Sequence, residues 1–268
     1  MDNVGSSHPA ERYESDVRVA NSRAKAAMVA LGLTAALRCA LIPIALWQNG
    51  LLDAVQAGNM PPMETLERSD TLISAGAIGQ LVLLIVTGVL FLRWLHRTVR
   101  LTRALGGDTL RWTPKDAVLS FIIPLVNIAR PFQVMRDLHD HLAPDVVPEP
   151  QVLVQPGDLS GYRGVEVKAP PPPVKLPHAS IGAWWGFFWV GNVFANIAAR
   201  QHGTGLSDIM LRNNLNMASD AIDIVSAVLA VVVVRGVTAR LDERFRRTRH
   251  NTVDALAAAG ITVGDPAA

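Results

Sequence analysis

Four runs of apolar residues, each close to the ~20 residues that carry a helix across a bilayer, restrict this chain to folds built in a membrane. They lie at about residues 26–47, 72–94, 181–199 and 217–234. Apolar residue types make up 50% of the chain and charged ones only 18%, and most of the charges fall between the runs. A formal net charge of +2 gives no basis for nucleic-acid binding, so the placement of the arginines carries the information instead. The single cysteine, Cys39, lies inside the first run, forms no intramolecular disulfide and says nothing about redox compartment. The first run follows Arg23 and Lys25 as a signal sequence would, yet it is too long for a signal core and lacks an Ala-x-Ala site before Trp47. It reads as a retained span.

A fifth apolar run, residues 117–129, is of another kind. Thirteen helical residues reach only about 20 Å at ~1.5 Å each, against a hydrocarbon core of ~30 Å. Pro124 interrupts it as well. Counting Lys and Arg bears on its status. If it does not cross, 21 of them lie on one side and Arg68, Arg200 and Arg212 on the other; if it crosses, each side has 12. The positive-inside rule therefore favours four spans with both termini cytoplasmic, and a re-entrant or interfacial element at 117–129. A polar cytoplasmic tail is expected at 1–23, a Pro-rich cytoplasmic linker at 145–177, and a C-terminal tail at 248–268. The fold class is an all-α integral membrane protein, with four transmembrane helices as two hairpins.

The order Phe91-Leu92-Arg93-Trp94-Leu95, a run of arginines, Leu105-Gly106, Trp112-Thr113-Pro114, Ile123-Pro124-Leu125-Val126-Asn127 and Arg130-Pro131-Phe132-Gln133-Val134-Met135-Arg136-Asp137-Leu138 resembles the bacterial membrane family catalogued as domain of unknown function 4328. The Trp184-Trp185 run with Asn192, and the following Ser219-Asp220 run, resemble that family's later part. The resemblance covers about residues 24–247 and implies an inner-membrane architecture. The family has no settled activity, so it implies no reaction. Within its motif, Pro124, Asn127 and Pro131 are expected to shape a broken helix whose freed backbone groups Asn127 satisfies.

Polar residues inside the runs are the candidate site. Arg38, Gln80, Asn192, Asn196, Asp220 and Asp223 all fall within about 14 Å of the outer surface at ~1.5 Å per residue. A charge in lipid costs roughly 2.5 to 3.5 kcal/mol on insertion scales, so Arg38 and Asp223 are expected to face inward as an ion pair, with Gln80 and the two asparagines completing the hydrogen bonds. Such a cluster is either interhelical polar glue or a solute, ion or proton site. Asp220 also suits the first turn of span four, where a carboxylate is favoured.

The arginines at the cytoplasmic ends form the second expectation. Arg93, Arg97 and Arg100 recur at helical spacing, and Arg235 and Arg240 follow span four, so all five are expected on anionic headgroups. Asp137, His139, Asp140 and His141 lack the spacing of a metal site, and no phosphate loop or nucleophile motif is present. The chain is thus read as a structural, scaffold or regulatory membrane protein. It is not expected to be an enzyme, and no metal, cofactor or nucleic acid is expected. Membrane lipid, with anionic headgroups on the cytoplasmic side, is the expected partner, and a homo-oligomer is expected if the alternative, a small transporter or channel, holds.

Overall fold

Uninterrupted apolar sequence makes very long helices. The computed structural model describes residues 9–106, 110–143 and 177–258, and all regular structure among them is helical: α1 Pro9–Gln56, α2 Met63–Ala104, α3 Pro114–Ile122, α4 Arg130–His141, α5 His178–Ala199 and α6 Leu206–Ala258. The linker expected at 145–177 falls, but for its last residue, outside the described residues. α1, α2 and α6 are long and apolar enough to cross a membrane. At 42 to 53 residues they extend to about twice the ~30 Å hydrocarbon thickness or more, so each runs well past its apolar stretch. Within the polar segment 1–23 the chain is helical from Pro9. Likewise α6 continues through residue 248 to Ala258. Once a helix is nucleated, each further residue adds a hydrogen bond, and neither extension contains a glycine or an internal proline to stop it.

The chain divides into two units, each drawn from distant parts of the sequence. One comprises residues 26–91 and 177–234, the other residues 1–25, 92–176 and 235–268. α1, α2 and α6 contribute to both.

In the apolar unit, small residues on α2 receive leucines from α1. Gly76 takes Leu41, and Gly79 takes Leu37 at 3.3 Å from where a Cβ would stand. Thr34 and Thr87 join the same pair of helices by a 3.1 Å hydrogen bond. α5 packs through its backbone: Ser219 Oγ of α6 donates to the Gly191 carbonyl at 3.0 Å. Trp184 and Trp185, whose sequence position suggests an interfacial belt, are buried. Trp184 lies 5.9 Å from Phe91, and Trp185 5.0 Å from Phe188 in a stacked pair. They fill the unit rather than face lipid.

The arginine-rich unit has a core of its own, with Trp94, Leu95, Leu101, Leu105, Met135, Leu138 and Leu241 fully buried. Trp94 Nε1 donates to Thr238 Oγ1 at 3.1 Å. Asn21 of α1 donates to both carboxylate oxygens of Asp242 at 3.0 and 3.1 Å. Burial raises the Asp242 carboxyl above its ordinary range, and the Asn21 amide and Arg246 offset part of this. Two buried arginines of α6 serve helix ends: Arg240 donates to the His139 carbonyl in the last turn of α4 at 3.1 Å, and Arg244 to the Leu105 carbonyl just past α2 at 3.3 Å. Carbonyls there lack helical partners, and the helix dipole is negative. Gly106, at φ 87°, turns the chain out of α2.

α3 and α4 form a short hairpin in this unit. Thr113 caps α3 by accepting from the Asp116 amide at 3.2 Å, and Pro114 occupies its first turn. Pro124 ends it, because a residue before proline is pushed out of the helical region and Ile123 is extended at ψ 116°. A 3-10 turn, Val126–Ile128, leads to α4, which again has proline, Pro131, in its first turn.

Two outcomes follow for thermal unfolding in detergent. Gly76→Val forces Leu41 aside and lowers the midpoint by an amount equivalent to about 1 to 3 kcal/mol, whereas Gly88→Val, with open space around it, leaves it nearly unchanged. Arg240→Gln and Arg244→Gln each cost about 1 to 3 kcal/mol by stranding buried carbonyls, while exposed Arg235→Gln stays within about 0.5 kcal/mol.

Candidate functional site

Four of the six polar residues singled out in the spans meet at one point of the apolar unit. Arg38 Nη1 of α1 lies 2.5 Å from Asp220 Oδ1 and 2.9 Å from Asp223 Oδ2, both of α6. Gln80 Nε2 of α2 donates to the same Asp220 oxygen at 3.0 Å. The three-residue spacing of the aspartates places both on one helix face, so a single guanidinium bridges them. Side-chain exposures of 18% for Arg38, 13% for Asp220 and 18% for Asp223 mean that protein, not surrounding solvent or lipid, supplies most of their contacts. Asp220 lies fourteen residues into α6 and therefore does not cap it.

Asn192 and Asn196 are corrected. Their amides donate to carbonyls of their own helix, Phe188 at 2.7 Å and Asn192 at 2.8 Å, and not to the carboxylates. Asparagine readily makes this local bond, which competes with longer-range partners. α5 instead meets the cluster through Gly191, where a Cβ would fall inside the van der Waals surface of the Asp223 carboxylate. The absence of a side chain is what admits Asp223, a signal that a search for polar residues passes over.

A second polar group in the same unit was not expected from the sequence. Asn49 of α1 donates to Asn214 of α6 at 2.8 Å, and Asn213 donates to Gln48 and Asn49 at 2.9 Å each. Gln48 in turn donates to Asp70 of α2 at 3.2 Å. The first apolar run stops at residue 47 and the fourth begins at 217, but α1 continues to Gln56 and α6 begins at Leu206. Only that extra helix brings the amides together.

The arginines expected on headgroups divide in two. Arg93, Arg100 and Arg235 are exposed. Arg97 is instead ion-paired with Asp16 of α1, and Arg240 is buried on the His139 carbonyl. For these two the headgroup role is withdrawn, since helical residues 9–23 and α4 supply partners that the sequence left unplaced. Positive charge is nonetheless concentrated here: burial, then Arg100, Arg23, Arg97 and Lys115, hold His96 below the ordinary histidine range. Asp137 accepts from Trp112 Nε1 at 2.8 Å, and His141 Nδ1 lies 2.7 Å from the Asp137 carbonyl, which gives both residues structural work. Of the motif residues, Pro124 is exposed and Pro131 buried, and Asn127 Oδ1 is buried without a hydrogen-bond partner. That oxygen therefore does not satisfy the broken backbone as expected.

The arrangement offers charge neutralisation and hydrogen bonding between helices. No curated protein and no solved structure matches the chain. The family model described as Domain of unknown function (DUF4328) matches residues 59–239, a region that holds α2 through α5 whole and the aspartates of α6. With more than half of its length so matched, the chain belongs to that family.

Proposed function

We propose that this chain is a four-span protein of the bacterial inner membrane with both termini cytoplasmic, in which α5 makes the crossing that pairs with α6. At 22 residues, α5 reaches about 33 Å at ~1.5 Å per residue, enough for the ~30 Å core. Its role is that of a scaffold or regulatory membrane protein, not an enzyme, and its exposed arginines Arg93, Arg100 and Arg235 rest on anionic headgroups. One observation carries the scaffold reading: Arg38 bonds both carboxylates while Gln80 bonds one of them, so three helices are tied by groups that satisfy one another. An ion pair of this kind fixes which helices are neighbours.

A second reading, a small transporter or channel-like homo-oligomer, is favoured by the charge count. Two carboxylates face one guanidinium, which leaves a negative charge for a proton or small cation to occupy.

Stability in detergent separates the two. Under the scaffold reading, Arg38→Gln alone costs about 3 kcal/mol because it strands two part-buried carboxylates, and adding Asp220→Asn and Asp223→Asn recovers much of the loss. If the single change is tolerated, the charges are not kept for stability, and proton or sodium flux in vesicles carrying the protein becomes the decisive measurement. Topology is tested by cysteine labelling in a Cys39→Ser background. Asn59→Cys and His202→Cys both react with a membrane-impermeant maleimide in spheroplasts, and Arg111→Cys reacts only after lysis. Protection of residue 202 would mean that α5 does not cross.

A further inference from the structure

The α3–α4 hairpin turns one side to the core of its unit and the other outward. Ala117, Ser120, Pro131, Val134, Met135 and Leu138 are buried. Outward stand Leu119, Ile122, Ile123, Leu125 and Ile128, all exposed, with Leu125 at the apex 85% exposed. Five large aliphatic side chains on one tip form a patch of the kind that marks an interaction site. Its rim is mainly cationic, the exposed Asp116 carboxylate beside Lys115 accepting from the Thr113 hydroxyl at 2.6 Å. Lys115, Arg111 and Arg130 are exposed, and the guanidiniums of Arg111 and Arg130 both sit over the Trp112 ring, 5.0 and 6.0 Å from its centroid. Trp112 is itself buried and hydrogen-bonded to Asp137, so the two arginines are held against a fixed ring.

From this we infer that the hairpin tip is a wedge that enters the acyl boundary of an anionic lipid leaflet, with Lys115, Arg111 and Arg130 on the phosphates. The chemistry of the patch fits lipid: its large exposed side chains are aliphatic and basic ones stand at its edge, the pairing that an anionic bilayer surface accommodates. α3 has nine residues, about 14 Å at ~1.5 Å each, so the wedge dips and does not cross. The same unit receives α2 and α6, helices apolar enough to span a membrane, and is thereby tethered to a bilayer. The inference rests on the proposed spanning of those helices.

The test places an environment-sensitive fluorophore on a single cysteine, at Leu125→Cys or Val82→Cys, in a Cys39→Ser chain. Val82 is exposed on α2 within its apolar run, and it reports the spanning reading independently. The protein is reconstituted in vesicles of phosphatidylglycerol and phosphatidylcholine, with doxyl-labelled lipid or aqueous iodide as quencher. Doxyl lipid is expected to quench residue 125 to an extent comparable with residue 82, and Lys115→Gln with Arg130→Gln to reduce quenching at 125 alone. Quenching at 82 but iodide access at 125 overturns the wedge and leaves the spans standing. Shielding of 125 from both quenchers overturns it as well, since the tip is then covered by a second copy or another protein. Equal doxyl quenching at 125 in pure phosphatidylcholine overturns the anionic requirement. No lipid quenching at 82 removes the spanning reading and the wedge with it.

Discussion

A guanidinium in an apolar helix bundle has to be neutralised and hydrogen-bonded, and that requirement organises the apolar unit. Arg38 can meet it only if α6 presents both aspartates toward α1, which fixes the rotation of each helix about its axis. Gln80 then fixes α2. α5 enters on different terms, contributing no charge and only the bare backbone at Gly191 that lets Asp223 approach. The leucine-into-glycine contacts of Leu41 with Gly76 and Leu37 with Gly79 follow from the same rotation. Van der Waals packing thus completes what the charges orient.

The arginine-rich unit solves the complementary problem of ending helices without water. Arg240 and Arg244 bring buried positive charge to the carbonyl ends of α4 and α2, and Trp94 supplies bulk with its one polar atom placed on Thr238. These residues are basic for reasons of packing and capping, and only some of their neighbours are left exposed.

Much of this was legible in the chain because apolar length, proline and the helical spacing of charges act locally. The helical class, the break at Pro124 and the continuation of α2 through Arg100 all follow from such signals. The convergence of Arg38, Gln80, Asp220 and Asp223 also follows, since a charge in an apolar run has few places to go. What escaped depends on distant partners. Arg97 and Arg240 carry the same sequence signature as Arg93, and nothing local shows that Asp16 or the end of α4 awaits them. Asn192 and Asn196 misled for the opposite reason: a residue able to reach across helices was satisfied by its own turn. The amide group of Asn49, Asn213 and Asn214 was hidden by helix ends that lie well beyond the apolar runs.

The arginine-rich unit is assembled from the first, middle and last parts of the chain, and this sets an order of events during synthesis. Asn21 meets Asp242, 221 residues later, and the end of α2 waits for Arg244, 139 residues further on. Until α6 has been made, the Trp94 core has one wall missing and the carbonyls ending α2 and α4 lack their donors. Loop closure over such separations comes late in folding. The unit closes only once α6 has been made, and a chain cut short before residue 240 lacks the donors that finish the ends of α2 and α4.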